Sequence, residues 1–408
     1  MSNQPICNQD TPDPWVLPDP HNPGRFYLTF TLGNRIEIWA SNSIENFHNA
    51  QKSVAWQPAP NSPWSSDIWA PEIHYLYGEW FIYAAAAEPG KGNASHRTIV
   101  LRSRSPDPMA GPQVWEFLGP MKGLPMDQWS IDATVFSPDQ GADDRQKRWY
   151  VCYSGWPLGD HSDTQQDLFL ARMVSPFEVD SRSLTCISRA SLPWERPEEG
   201  RRGVNEGPTW VSFPNNGWRG IVYSAHGSWT SEYKLGIVSY TGRPEDDMCH
   251  EQAWQKRPTP LLVSDKAMGG PFGPGHASFI MSPYGGREVF CIYHGTEREG
   301  EGWNNRKGRV LCMNQDMFLH DRPPMCCAMR ACGPGQAPGG SMGGQAPQGM
   351  PPHGMSAQGV PPPQQTQVAG HSSQANMQKY LRQAEKFEKY IPGPYRGIFH
   401  KAKGFLQK

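Results

Sequence analysis

The chain has 408 residues, enough for one large domain or two ordinary ones, and its formal net charge is −1. That balance excludes a general electrostatic attraction to nucleic acid or to an anionic membrane. Aromatic residues make up 11% of the chain, including 16 Trp, a stock that suits the core and rims of an all-β fold or the stacking of flat, amphipathic ligands.

The N-terminus, MSNQPICNQDTPDPW, lacks the basic start and apolar stretch of a signal peptide. No later run approaches the ~20 apolar residues of a membrane span. As written, the chain reads as cytoplasmic and without a membrane span. Its nine cysteines (Cys7, Cys152, Cys186, Cys249, Cys291, Cys312, Cys326, Cys327 and Cys332) fit no zinc spacing and show no disulfide framework. Cys152 and Cys291 sit in apolar strand-like runs and read as buried thiols.

From about residue 10 to 320 short apolar and aromatic runs alternate with Gly, Pro, Asn and Asp turn clusters. RFYLTF at 25–30, EWFIYA at 79–84, RWYVCY at 148–153, WRGIVY at 218–223 and EVFCIY at 288–293 are such runs. They belong to a loose repeat whose units open near Asp13, Trp69, Asp132, Glu206 and His276, at separations of 56, 63, 74 and 70 residues. That period holds four strands and their turns, one blade of a β-propeller. Five units predict a five-bladed β-propeller over 10–325, with the five openings converging at one end of the axis. An irregular β-sandwich is the competing architecture.

Composition changes near residue 333. Residues 333–376 are rich in Gly, Pro, Gln and Ser and predict a disordered linker. Within 377–408, Tyr380, Ala384, Phe387 and Ile391 fall at helical spacing before Pro392. This short helical tail carries eight Lys or Arg against two Glu. It reads as a solvated appendage, docked on the acidic body or making a weak surface or partner contact.

Three acidic residues open repeat units: Asp13 in TPDPWV, Asp132 in WSIDATVF and Glu206 in VNEGPTWV. Asp132 interrupts an apolar run, where a charge persists only with a partner or a function. Paired carboxyl groups suit hydrolysis of a glycosidic bond, one protonating the leaving oxygen and the other activating water.

The ordered series DPW at 13–15, WAPEIHYLYGEWFIYAA at 69–85, IDATVF at 131–136, EGPTWV at 206–211 and GPGHASF at 273–279 resembles glycoside hydrolase family 43. The resemblance covers about residues 10–320 and implies a five-bladed β-propeller that hydrolyses glycosides with inversion. Position by position, it implies that Asp13 is the general base and Glu206 the general acid. Asp132 would then tune the acid's pKa and orient it. It implies no required cofactor, with His276 helping to hold a structural ion, often calcium, through water on the axis. Inversion implies base and acid about 6.5–9.5 Å apart.

Trp15, Trp69, Trp156 and Trp229 lie beside motifs and are the candidate sugar-stacking residues. Arg306 and Arg309, in NNRKGRVLC, match a region where relatives place an arginine toward the pocket. The stretch at 223–240 looks most like the branch that removes terminal α-L-arabinofuranosyl units. Glu72, where many relatives carry Asp, and the tail after 332 depart from the family pattern. The expected activity is an exo-acting α-L-arabinofuranosidase on plant cell-wall arabinan or arabinose-decorated oligosaccharides. The alternatives are a β-xylosidase, a dual-activity glycosidase, and a carbohydrate-binding propeller without turnover.

Overall fold

The computed structural model describes residues 4–139, 141, 143–197, 202–282, 286–320 and 322–326. The expected linker at 333–376 and helical tail at 377–408 lie outside the described residues. Among the described residues the chain is all-β, with short 3-10 turns and no α-helix. None of its helices is long and apolar enough to cross a membrane.

The strands form five successive antiparallel groups, one for each repeat unit. The first is β1 (Trp15–Pro18), β2 (Phe26–Thr29), β3 (Ile36–Ser41) and β4 (Gln51–Trp56). The second is β5 (Ser66–Leu76), β6 (Glu79–Ala87), β7 (Arg97–Ser103) and β8 (Trp115–Pro120). The third is β9 (Ser130–Phe136), β10 (Tyr150–Gly155) and β11 (Gln165–Ser175), with β12 (Glu178–Val179) and β13 (Thr185–Ser188) on the edge of β11. The fourth is β14 (Gly203–Ser212), β15 (Arg219–Ala225) and β16 (Lys234–Tyr240), edged by β17 (Trp254–Lys256) and β18 (Leu262–Val263). The fifth is β19 (Phe272–Met281), β20 (Glu288–Thr296) and β21 (Lys307–Asn314). A last short strand, β22 (Met325–Cys326), pairs in parallel with β18. The third and fourth groups are also stitched together, because Gln165 and Gln166 pair in parallel with Gly203 and Val204.

The middle strands are largely apolar, as sheets covered on both faces require. β6 is EWFIYAAAA, and every residue after Glu79 is buried. Each group shares one core with the next. Ile38 meets Ile82 and Leu101 between the first and second groups, and Tyr83 meets Val135 and Val151 between the second and third. Leu170 meets Ile221 and Val238 between the third and fourth, and Val222 meets Cys291 and Leu311 between the fourth and fifth. The last core joins the fifth group back to the first, through Phe290 and Val310 against Val16 and Leu28. The first strands touch in the same cyclic order, β1 to β5, β9, β14, β19 and back to β1.

The fifth group has three strands of its own, and the chain's start lies along its edge. Ile6 N–H donates to Gly308 O at 2.8 Å, and Thr11 N–H donates to Arg306 O at 2.8 Å. Thr11 Oγ1 accepts from Gly308 N–H at 2.6 Å. Ile6 is fully buried in the core between the fifth and first groups. The segment leading directly into Asp13 is therefore held by β21, from the far end of the sequence. Cys312 is disulfide-bonded, a cross-link that the cysteine spacings gave no sign of. Cys152 is a buried free thiol, as expected.

Replacing Ile6 by Ala removes the apolar anchor of this closure. Stability to denaturant should fall by about 2–5 kcal/mol, the usual range for emptying a buried Ile site. A loss below half a kcal/mol would show that the N-terminal segment does not hold the ends together.

Candidate active site

Each of the five groups begins with a residue in the left-handed backbone region: Asp13 (φ 56), Ala70 (φ 44), Asp132 (φ 55), Gly207 (φ 55) and His276 (φ 44). The last four sit where the pairing register slips between the first and second strands of their groups. A bulge of this kind bends the strand and re-aims a side chain. It also takes an N–H out of the ladder, and side chains recover four of the five. Asp13 N–H donates to His294 Nδ1 at 3.0 Å and Ala70 N–H to Thr31 Oγ1 at 2.7 Å. Gly207 N–H donates to Asp132 Oδ2 at 3.0 Å and His276 N–H to Ser224 Oγ at 2.7 Å. Gly207 meets a second constraint, since a Cβ there would lie 3.1 Å from the His276 ring.

The bulges bring Asp13, Asp132, Glu206 and His276 to one cavity of about 790 Å3. His276 Nδ1 lies 3.2 Å from Asp13 Oδ1 and 3.9 Å from Asp132 Oδ2. Thr31 Oγ1 donates to the other Asp13 oxygen at 2.6 Å. Burial alone would strip the proton from His276, but the carboxylates of Asp13 and Asp132 outweigh it and hold the imidazolium up to about 10. In return, burial pushes Asp13 up, yet the charge and hydrogen bond of His276 win and keep its carboxyl well below the usual range. Asp132 is raised to about 7: burial leads, His276 opposes it, and the neighbouring Glu206 and Asp13 add repulsion. Burial also raises Glu206, against hydrogen bonds from Gln166 and Tyr233 and the charge of His276. At neutral pH the site therefore holds an ionised Asp13, while the carboxyls of Asp132 and Glu206 are both held above their ordinary values.

Trp69, Trp229 and Arg306 line the same cavity. Trp69 stacks on His96 with ring centroids 3.8 Å apart. Trp229 packs edge-on against Trp303 at 6.0 Å. Arg306 Nη1 lies 3.2 Å from His294 Nε2.

Three expected contacts are not in the wall. Trp15 turns into the core between the first two groups, where its indole N–H donates to Ile73 O at 2.9 Å. Trp156 is buried as a second layer, stacked 5.3 Å from Trp129, and it is Trp129 that faces the cavity. Arg309 lies within β21, its guanidinium 3.6 Å from Glu297. Glu72 also lies off the cavity, 2.9 Å from His74. Burial pushes the Glu72 carboxyl well up and His74 down to about 3, so this is a neutral hydrogen bond rather than an ion pair.

Gln166, Asp163, Arg202, Trp303 and Thr31 also line the cavity, and no motif marks them in the sequence. Trp129 was within reach, three residues ahead of Asp132 in the same motif. Among the described residues no three His, Cys, Asp or Glu are grouped to hold a metal ion. His276 presents Nδ1 to two carboxylates as a donor, so the residues present make no direct ligand set for an ion at His276.

Residues 2–321 match the family described as Glycosyl hydrolases family 43. The chain is 30% identical over 276 residues to the "Extracellular exo-alpha-(1->5)-L-arabinofuranosidase" of Streptomyces chartreusis, covering 67% of this chain and 77% of that protein. It is 30% identical over 288 residues to "Alpha-L-arabinofuranosidase B" of Pyricularia oryzae, covering 69% of this chain but only 54% of that protein. Among solved structures, the α-L-arabinofuranosidase of Lactobacillus brevis superposes with a TM-score of 0.65 at 26% identity, covering 78% of this chain and 96% of that one. The chain belongs to family 43 of the glycosyl hydrolases and is a glycosidase.

The charge pattern predicts a pH response. In the wild type kcat/KM should hold as pH falls through the ordinary aspartate pKa of ~3.9, because His276 keeps Asp13 ionised. His276→Gln removes that cation, which raises Asp13. The acid limb of kcat/KM should then begin well above ~3.9. An acid limb in the same place for both proteins would contradict this pairing.

Proposed function

We propose that this family 43 glycosidase is an inverting, exo-acting α-L-arabinofuranosidase whose five sheets close as a five-bladed β-propeller. The observation that carries the catalytic reading is the pair of opposed shifts in one cavity, with Asp13 held ionised beside an imidazolium and Glu206 pushed by burial toward its protonated form. Those are the states required of the base and the acid in inverting hydrolysis. The propeller reading is supported by the cyclic order of the shared cores and of the first strands. The arabinose reading is supported by the names of the relatives, and by a cavity within the roughly 300–1,000 Å3 range of small-ligand sites.

In this mechanism a water molecule lies between Asp13 and the anomeric carbon. Asp13 takes a proton from it as the water oxygen bonds to carbon. The bond from carbon to the glycosidic oxygen breaks, and its electron pair stays on that oxygen, which takes the proton of Glu206. Each turnover leaves Asp13 protonated and Glu206 ionised, and exchange with solvent restores both. Asp132 accepts from the Gly207 N–H, and the repulsion between its charge and that of Glu206 disfavours loss of the Glu206 proton until the leaving oxygen needs it. Trp69, Trp129 and Trp229 offer ring faces or edges to the sugar. Arg306, the second buried cation of the site, helps offset the negative charge on Asp13.

Purified protein should hydrolyse an aryl α-L-arabinofuranoside in preference to an aryl β-xyloside, and proton NMR should show the β-anomer as the first product. Glu206→Ala should lose about 10²–10⁴-fold on arabino-oligosaccharides, and much less on an aryl glycoside whose leaving group needs little protonation. Asp13→Asn should fail on both. Preferential xyloside hydrolysis would overturn the substrate assignment, and a first-formed α-anomer would overturn inversion.

A further inference from the structure

Gln166, on β11, is 2% exposed and meets Glu206 directly. Its Nε2 donates to Glu206 Oε2 at 2.9 Å. Its Oε1 accepts from Arg202 Nη2 at 2.7 Å. An arginine only donates, so this amide cannot turn over without setting its own NH2 against the guanidinium. Arg202 is itself fixed, paired with Asp163 Oδ1 at 2.6 Å and lying over the Trp229 ring, 5.5 Å from its centroid. The parallel pairing of Gln166 with Val204 places the amide two residues from Glu206 on a joined backbone.

We propose that Gln166, locked in orientation by Arg202, is a positioning residue for Glu206 that determines which carboxyl oxygen carries the transferred proton. With Oε2 accepting from the amide, we place the acid's proton on Oε1. During transfer the Oε1–H bond breaks and a new O–H bond forms on the glycosidic oxygen. The electron pair stays on Glu206, spread over both oxygens, and the amide donor at Oε2 meets that growing charge. The inference rests on Glu206 being the general acid.

The other groups facing Glu206 set the background. Asp13 repels its charge and His276 attracts it, while Tyr233 donates a hydrogen bond. Glu206 and Asp132 repel each other, and the Arg306 guanidinium feels the Glu206 charge. None of these changes when the amide is removed. Loss of a donor that favours the carboxylate raises the acid's pKa, so the alkaline limb of kcat/KM should move upward.

The test compares Gln166→Leu, Arg202→Met and Glu206→Ala with the wild type on arabino-oligosaccharide and on aryl α-L-arabinofuranoside. Gln166→Leu should lower kcat on the oligosaccharide roughly tenfold, with KM little changed, a smaller loss on the aryl glycoside, and an alkaline limb shifted up. Arg202→Met frees the amide to turn its oxygen toward the protonated acid and should shift the limb the same way. It decides the matter alone if Gln166→Leu does not fold. A limb that stays or moves down in a folded variant, with Glu206→Ala inactive on the oligosaccharide, overturns the positioning role and leaves the acid assignment standing. Full activity of Glu206→Ala on the oligosaccharide sinks both.

Discussion

Three carboxyl groups share one cavity with one imidazole, and most of the site follows from that imbalance. One imidazolium cannot hold three buried anions, even with Arg306 nearby, because each ionised carboxylate away from water costs more than a distant partner returns. His276 sits closest to Asp13, at 3.2 Å, and farther from Asp132, at 3.9 Å. Asp13 therefore takes the benefit of the charge. Glu206 accepts from an amide and a phenol and feels His276 less, and burial pushes its carboxyl up. The proposed division of labour between base and acid thus follows from which carboxyl group lies nearest one ring nitrogen.

The backbone makes that placement possible. A regular strand presents successive side chains to opposite faces. The left-handed residue at each opening breaks the alternation where the strand reaches the cavity. Four of the five N–H groups at these openings find side-chain acceptors, and one of them ties Asp132 to Gly207, the residue after Glu206. Strain at a functional rim is a recurrent arrangement, and here it repeats with the sheet groups. The same end of the molecule is held by β21, which fixes the segment leading into Asp13 through Ile6 and Thr11.

Much of this was legible in the sequence, for physical reasons. Buried middle strands need continuous apolar runs, and each group needs a polar opening, so both the all-β texture and the five openings show as a repeat. Asp132 announces itself as a charge inside SIDATVF. Side chains whose direction depends on register were not legible. Trp15 and Trp156 stand beside motifs, yet strand alternation and stacking send them inward. Arg306 and Arg309 are three residues apart, and only the one ahead of β21 reaches the cavity. Gln166 and Arg202 carry no local signal at all. Their role comes from a parallel pairing between two groups, which no short window of sequence contains.

The central claim is the distribution of protons, with Asp13 holding its charge below, and Glu206 holding its proton above, the ordinary titration of each group. Carbon-13 NMR of protein labelled at its Asp and Glu carboxyl carbons reads this without substrate, with the two signals assigned by their loss in Asp13→Asn and Glu206→Gln. The account predicts that the Asp13 signal keeps the shift of a carboxylate through the ordinary aspartate value of ~3.9, and that the Glu206 signal keeps the shift of a carboxylic acid well above ~4.3. Titration of both groups at their ordinary values would contradict it.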